Sequence, residues 1–392
     1  MNKNILDKEV QQFINLNLLT DVNKIALARP TFQNLSSAEL AGQIAAKKKA
    51  KNKLPTWFST ADIYYPALLS IEQTSSETTA AYKANLAIGK TLIDLTAGFG
   101  IDSYFFSKQL DEVYSCEINP ELAEITAHNA KVLGANNLTV ISGDGLEFLK
   151  NTTKNFDTIY IDPARRSNSN KVFKLKDCTP DVTENLDFLQ TKAQRIIIKT
   201  APLLDISAGL SELKNVSEIH IISVKNECKE LLWVIDKNFT AETRVVCVTL
   251  NEKDKVFKFA ISDLQLKTEM AQSEPTGYLY EPDVALLKSG AFNLIAERFG
   301  LKKLHQQSQL YFSDEIKTDF LGRIFEIISL LTLNELKKEK ALKGNVIVRN
   351  FPEKAENLVK KYKIESAHDD FLVFTQSNKG YLVIKAKIIQ HY

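Results

Sequence analysis

Cysteine and histidine are scarce in this chain. Its 392 residues include four cysteines and five histidines, and the closest two cysteines, Cys228 and Cys247, lie 19 residues apart. No C-x-x-C pair and no cluster of cysteine and histidine is present, which argues against a zinc site. Scattered thiols in a long chain are also unlike the disulfide framework of a small secreted protein. We therefore expect no metal and a reducing compartment.

Long apolar runs and a dominant charge sign are also missing. No stretch approaches the roughly 18 apolar residues of a membrane-spanning helix, and the first residues do not resemble a secretory signal. The 50 basic and 48 acidic side chains nearly cancel. Their distribution is uneven, since residues 1–90 carry a net charge of +4, residues 91–271 of −5 and residues 272–392 of +3. We expect a cytoplasmic protein without membrane contact, in which basic flanks enclose an acidic centre.

The apolar pattern divides the chain into a helical beginning and an α/β centre. Residues 1–88 have helical periodicity, and Ser36 and Glu39 have the spacing of a capping box. From residue 91, short apolar runs alternate with helical segments, which predicts a parallel sheet wound by crossover helices. The predicted strands are 91–95, 112–117, 138–141, 156–162, 195–200, 218–224 and 230–236, followed by a hairpin of 243–250 and 255–262.

A cluster of serine, proline and glycine at 271–277 predicts a domain boundary. Beyond it, 284–299 predicts one helix, and the segments from 320 onward predict a small α+β unit. Residues 334–363 of this unit carry a net charge of +5, mostly on predicted helices. The predicted domains are 1–88, 89–270, 271–321 and 322–392.

The segment 94–102, Asp-Leu-Thr-Ala-Gly-Phe-Gly-Ile-Asp, joins a predicted strand to a predicted helix through a glycine loop. Gly98 and Gly100 permit a tight turn and let a ligand lie against the backbone. Glu117 ends the second strand, 23 residues after Asp94, where an acid can accept both hydroxyls of a ribose. The predicted ligand-binding residues at these strand ends are Asp94, Thr96, Gly98, Gly100, Asp102, Glu117, Ile118, Asp144, Gly145 and Asp162.

Two kinds of ligand compete for such a loop. A dinucleotide site has G-x-G-x-x-G and a helix N-terminus open to a pyrophosphate, but here Ser103 stands at the third glycine and Asp102 repels a diphosphate. S-adenosylmethionine (AdoMet) has an amino group, a ribose and an adenine but no phosphate. Asp94 suits the amino group and Asp144 the adenine, although Asp144 can also serve as a helix N-cap. We therefore predict AdoMet as the cofactor.

Residues 91–163 resemble the class I AdoMet-dependent methyltransferases, and the wider chain resembles a bacterial methyltransferase family with a C-terminal THUMP-like domain. The segments that carry the narrower resemblance are KLPTWF (53–58), EQTSSETTAAYKA (72–84), DLTAGFGID (94–102), DPARR (162–166), KTAPLLDI (199–206), NECKELL (226–232), GYLYEPDVALLKSGAF (277–292) and VRNFPEKAENL (348–358). The resemblance implies a Rossmann-like seven-stranded core at 89–270, a ferredoxin-like segment at 271–321 and a THUMP-like domain at 322–392. It also implies that the segment around Gln73 lines the methionine pocket; a capped helix start explains that segment equally well.

The motif Asp162-Pro163-Ala164-Arg165 follows the fourth strand. Methyltransferases that act on exocyclic amines carry Asp/Asn-Pro-Pro-Tyr/Phe there, so we predict Asp162 and Pro163 as catalytic residues that accept the hydrogens of the acceptor. The aromatic ring that stacks on the base is replaced by Arg165, which argues against this chemistry unless the guanidinium plane stacks instead. Some uracil-C5 methyltransferases share the motif, but they need a cysteine after the fifth strand, and KTAPLLDI (199–206) has none.

Basic residues near these strand ends are predicted to bind the substrate. Arg165 and Arg166 suit a phosphate or a carboxylate; the alternative is surface pairing with Asp177 or Asp181. Lys199 ends the fifth strand, where it either contacts substrate or only caps the sheet.

Two lysine-rich stretches suggest contact with RNA. The lysines of 47–53 can bind phosphates while the nearby rings of Trp57 and Phe58 stack on bases. The helices within 334–363 can also bind phosphates. For both stretches the alternative is a solvated helix face. The THUMP resemblance also implies RNA. We predict an AdoMet-dependent methyltransferase of a structured RNA, such as tRNA or rRNA. The alternatives are a methyltransferase of a small molecule or protein and a non-catalytic AdoMet- or RNA-binding protein.

Overall fold

The fold is given by a computed structural model, which describes residues 1–165, 174–268, 270–339 and 341–392, the side chain of Arg165 excepted. None of the helices in these ranges is long and apolar enough to cross a membrane.

The described chain divides into two units. The first unit contains Met1–Ser217 and Leu232–Thr240, and the second contains Glu218–Leu231 and Ala241–Tyr392. The division therefore passes through two strands, β8 and β9, whose bounds are given below.

Several helices of the first unit begin at a capping side chain. Ser36 accepts from the Glu39 N–H while the Glu39 carboxylate accepts from the Ser36 N–H, which confirms the predicted capping box. The helices are α1 (Lys8–Leu16), α2 (Val22–Ala26), α3 (Ser37–Lys53), α4 (Pro55–Ser59), α5 (Leu68–Gln73), α6 (Glu77–Ala84), α7 (Ile101–Ser107), α8 (Pro120–Val132), α9 (Gly145–Asn151), α10 (Val182–Lys192) and α11 (Ile206–Glu212).

Apolar runs between the later helices form the strands of the first unit. They are β1 (Thr91–Asp94), β2 (Glu112–Glu117), β3 (Leu138–Ser142), β4 (Phe156–Ile161), the short antiparallel pair β5 (Ala164–Arg165) and β6 (Cys178–Thr179), and β7 (Ala193–Thr200). Five of them pair in parallel in the order β3-β2-β1-β4-β7. Helices alternate with these strands, as a parallel sheet requires, and the predicted α/β class is confirmed.

The N-terminal helices pack on the part of the sheet unit that contains the glycine loop. Their buried apolar side chains form one core with residues of α7 and α8, including Tyr104 and Ile125. Trp57 from α4 lies edge-on to Tyr104, with ring centroids 4.9 Å apart. This apolar burial stabilises the helical region and the loop together.

The second unit contains two sets of strands. β8 (Val216–Val224) and β9 (Glu227–Asp236) extend into it, and β10 (Arg244–Thr249) pairs in parallel with β8 and antiparallel with β11 (Lys255–Ala260). This antiparallel pair is the hairpin that the sequence predicts.

A separate mixed sheet forms the remainder of the second unit. Its order is β13-β14-β12-β15-β18-β17-β16, and only β16 and β17 pair in parallel. The elements are β12 (Tyr278–Pro282), α12 (Val284–Ser289), α13 (Phe292–Phe299), β13 (Lys302–Lys303), β14 (Tyr311–Ser313), β15 (Gly322–Thr332), α14 (Leu333–Leu336), β16 (Asn345–Val348), α15 (Ala355–Tyr362), β17 (Asp370–Ser377) and β18 (Gly380–Gln390).

Two segments of this unit differ from the predicted elements. The single helix predicted over 284–299 is divided, because Gly290 adopts a left-handed conformation (φ 75°) that ends α12. The segment 320–331, for which the pattern allowed a helix or a strand, forms most of β15. β12 and β18 pair with this strand on its two sides and supply the hydrogen bonds that a strand needs.

Candidate active site

The carboxyl ends of the parallel strands bring the predicted residues together. The register places Asp94 of β1 beside Tyr160 of β4, and Glu117 of β2 beside Ser142 of β3. Ligands bind at this edge of open α/β sheets, since the loops that follow the strands all emerge there.

The glycine loop between β1 and α7 is held against the end of β2. Gly98 and Gly100 have φ angles of 57° and 77°, which other residues rarely adopt. The Gly98 N–H donates to the Glu117 carboxylate at 2.8 Å. A Cβ atom on Gly100 would lie 2.4 Å from Cγ2 of Thr126, so this position also has no room for a side chain.

Asp94 is an acidic group buried beneath this loop. It is 1% exposed, and its carboxylate accepts from the Thr96 N–H at 3.0 Å and the Ser103 hydroxyl at 2.6 Å. Burial, together with the nearby carboxylates of Asp102 and Asp162, outweighs these two hydrogen bonds and raises the pKa of Asp94 to about 7. A cation bound above the loop would favour the ionised form. The site therefore fits the positively charged methionine end of AdoMet.

Glu117 and the residue after it fit the nucleoside end. The Glu117 carboxylate is oriented by two backbone donors, the N–H groups of Gly98 and Asn119, each at 2.8 Å. Carboxylate oxygens have further lone pairs for ribose hydroxyls. Ile118 is 71% exposed, which is unusual for an isoleucine and leaves an apolar surface for a flat ring.

Asp144 caps α9, as the alternative interpretation of this residue proposed. Its Oδ1 accepts from the N–H groups of Leu146 and Glu147, at 2.8 and 3.1 Å. The side chain is exposed, so the cap does not occupy the whole carboxylate, and the predicted contact with adenine stays a prediction. Gly145 is required for close packing, since a Cβ atom there would lie 2.5 Å from the Leu95 carbonyl oxygen.

Asp162 and Lys199 form an ion pair at the ends of β4 and β7. The two strands pair with Ile161 opposite Ile198, so the residues that follow are neighbours. The Asp162 N–H donates to the Thr96 hydroxyl at 2.7 Å, which ties the motif to the glycine loop. The Asp162 side chain remains 34% exposed, whereas Pro163 is buried. Sequence reasoning predicted both charged residues separately and missed their pairing.

The remaining predicted substrate residues cannot be placed in the site. Arg166 and the side chain of Arg165 lie outside the described residues. Their predicted contacts with substrate stay predictions.

Asp102 is engaged inside the protein. Its carboxylate accepts from Ser75 and Tyr160 hydroxyls, both at 2.9 Å, and pairs with Lys83 at 3.2 Å. Lys83 was missed by sequence reasoning; the available signal is a lysine within the otherwise apolar end of α6, AAYKA. Gln73, at the end of α5 and two residues before Ser75, is exposed.

Two of the five lysines of 47–53 are occupied by contacts within the protein, whereas the other three are exposed. Lys47 is 5% exposed beside the rings of Phe58 and Tyr65, and burial lowers its pKa. Lys53 donates to two backbone carbonyls. Trp57 is 1% exposed, so the prediction that it stacks on bases is wrong: its ring belongs to the apolar core.

Cysteine and metal chemistry have no visible basis in the described residues. No group of three or more histidine, cysteine, aspartate or glutamate side chains in those ranges is arranged to hold a metal ion. Cys116 is buried in β2, and burial raises its pKa to about 12, which suppresses the thiolate.

Three family models match successive parts of the chain. Residues 89–202 match a model described as RNA cap guanine-N2 methyltransferase. Residues 278–320 match a ferredoxin-like domain, and residues 322–386 match a THUMP domain-like model. The kinds of domain agree with the resemblance noted in the sequence.

Two relatives are similar over most of their length. A crystal structure from Porphyromonas gingivalis W83, assigned as a methyltransferase, is 28% identical with a TM-score of 0.89 and covers 99% of both chains. An uncharacterised S-adenosylmethionine-dependent methyltransferase of Mycobacterium tuberculosis is 22% identical over 80% of this chain and 85% of its own length. With the glycine loop and its acids, these matches identify an AdoMet-dependent methyltransferase that carries a ferredoxin-like domain and a THUMP-like domain.

Proposed function

We propose that this AdoMet-dependent methyltransferase methylates an amino-bearing base of a structured RNA. The observation that carries the proposal is the ion pair of Asp162 and Lys199, which presents a partly exposed carboxylate beside the cofactor loop. The match of residues 89–202 to an RNA methyltransferase model and of 322–386 to a THUMP-like domain supports RNA as the acceptor.

The pair offers one acceptor and one donor side by side. Adenine, cytosine and guanine each present a hydrogen-bearing nitrogen next to an acceptor atom, which complements this arrangement. Asp162 would accept a hydrogen of the nitrogen to be methylated and direct its lone pair, while Lys199 keeps the carboxylate oriented. AdoMet, when bound, supplies an electrophilic methyl group on a sulfonium. The main task of the chain is then to hold the acceptor about 3 Å from that methyl carbon.

Exposed lysines of the THUMP-like domain supply a surface for the phosphate backbone. Lys354, Lys360 and Lys363 lie at the start, near the end and just after α15, and all three are exposed. We call them the α15 lysines. Because the α15 lysines are all exposed, whereas Lys47 is buried and Lys53 donates to backbone carbonyls, we propose that RNA recognition rests mainly on the C-terminal part of the chain.

The test is methyl transfer from labelled AdoMet to RNA purified from cells that lack the gene, followed by nucleoside mass spectrometry. We expect one methylated nucleoside, and Asp162→Ala should lower the rate by roughly 100-fold or more, a typical contribution of a positioned acid–base group. Its AdoMet affinity should change less than about twofold, since the side chain faces the acceptor. Asp187→Ala is the matched control, because Asp187 is an exposed aspartate of α10.

Two results would contradict the proposal. Methylation of a protein or small-molecule fraction, with none in RNA, would refute the acceptor. Full activity of Asp162→Ala on the true substrate would refute the assigned role of the ion pair.

A further inference from the structure

Lys83 is a lysine with no exposed surface. It lies in α6 of the N-terminal region, outside the strand-end segments that contain the cofactor loop. Burying an ammonium group costs several kcal/mol unless it is well paired, so lysines are rarely found fully inside a protein. Such a residue needs a reason for its position.

The partners of Lys83 form a buried polar cluster. Its ammonium lies 3.2 Å from Oδ1 of Asp102 and donates to the Ser75 hydroxyl at 2.9 Å. Oδ2 of Asp102 accepts from that same hydroxyl and from the Tyr160 hydroxyl, both at 2.9 Å. Burial alone would raise the pKa of Asp102, but the charges of Lys83 and Lys199 and the two hydroxyl hydrogen bonds together outweigh burial and hold that pKa below its usual value. The cluster therefore contains a true ion pair.

Each partner stands two residues from a position that the cofactor or acceptor is expected to meet. Ser75 follows Gln73 at the end of α5, Asp102 follows Gly100 in the glycine loop, and Tyr160 precedes Asp162 on β4. One lysine thus joins three segments that approach the same edge of the sheet. The contacts of Lys83 with Asp102 and Ser75 are sufficient for this connection.

We propose that Lys83 is a positioning residue of the AdoMet site, which fixes the segment after α5 and the first turn of α7 in the geometry that receives the methionine end. The inference depends on AdoMet binding alone and not on the identity of the acceptor. It makes the N-terminal helical region part of the cofactor site. Failure of RNA methylation would leave it unaffected.

The experiment separates positioning from stability. Lys83→Met removes the charge and keeps most of the volume, and the double variant Lys83→Met/Asp102→Asn also removes the unpaired carboxylate. For each folded variant, the AdoMet dissociation constant is measured by calorimetry and the melting temperature by circular dichroism. We expect both variants to bind AdoMet at least tenfold more weakly, while the double variant recovers melting temperature relative to Lys83→Met.

Milder variants and a control keep the test decisive if Lys83→Met does not fold. Tyr160→Phe and Ser75→Ala each remove one hydrogen bond of Asp102, and we expect each to weaken AdoMet binding threefold or more. Lys154→Met is the control, since Lys154 pairs with Glu112 at the opposite ends of the strands and should affect stability without affecting the dissociation constant. Dissociation constants within twofold of the wild type in the folded cluster variants would overturn the proposal, whatever happens to the melting temperature.

Discussion

The protonation of Asp94 makes AdoMet binding dependent on pH. Burial raises the pKa of this carboxyl to about 7, and the positive charge of the cofactor favours its ionised form. Protons therefore compete with AdoMet, and the apparent dissociation constant scales as one plus the ratio of protonated to ionised carboxyl. From about pH 7.5 to about pH 5.5 this factor increases about 25-fold, which corresponds to about 2 kcal/mol of binding free energy.

The assay is calorimetric titration of AdoMet at several pH values in this range. Asp94→Asn should bind more weakly at the upper end and lose the steep dependence, whereas the exposed control Asp187→Asn should follow the wild type. A dissociation constant that stays constant across the range in the wild type would refute the reasoning. So would an Asp94→Asn variant with an unchanged profile.

The cofactor-free protein should respond to pH in the opposite direction. A carboxyl with a raised pKa in the folded state binds more protons folded than unfolded between about pH 4 and pH 7. Its contribution to the free energy of unfolding therefore decreases as the pH rises through that window. Thermal denaturation should show this decrease in the wild type and a smaller one in Asp94→Asn.

Three further variants test other parts of the molecule. Glu117→Ala should weaken AdoMet binding by about 1–3 kcal/mol in calorimetry, through lost hydrogen bonds to a charged acceptor; an unchanged affinity would contradict its contact with the ribose. Gly145→Ala should destabilise the fold by about 1–3 kcal/mol in denaturant unfolding, because its Cβ would overlap Leu95. The control is Gly42→Ala on α3, which should be neutral or stabilising because a Cβ there meets no other atom. Replacing the α15 lysines by alanine should remove about two phosphate contacts. The slope of the logarithm of RNA affinity against the logarithm of salt concentration, measured in filter assays, should then become less steep. An unchanged slope would place the RNA surface elsewhere.

The local features of the cofactor site can be predicted from the sequence. The alternation of apolar runs and helical segments indicates the parallel sheet, and the glycines of 94–102 indicate a loop with positive φ angles. The acids Asp94, Glu117 and Asp162 follow strands whose carboxyl ends must share one edge. These conclusions depend on residues close together in the chain, where spacing and backbone preference determine geometry.

Contacts between distant residues were decided only by the tertiary structure. The pairing of Asp162 with Lys199 depends on the register of β4 and β7, and that of Lys83 with Asp102 on the packing of α6 beside α7. The same holds for Lys47. Its place in a lysine run suggests a solvated side chain, but its position on the helix turns it toward the core. Charge and periodicity along a segment do not determine which other segment packs on it. Burial by that other segment determines whether a charged side chain binds a ligand or stabilises the fold.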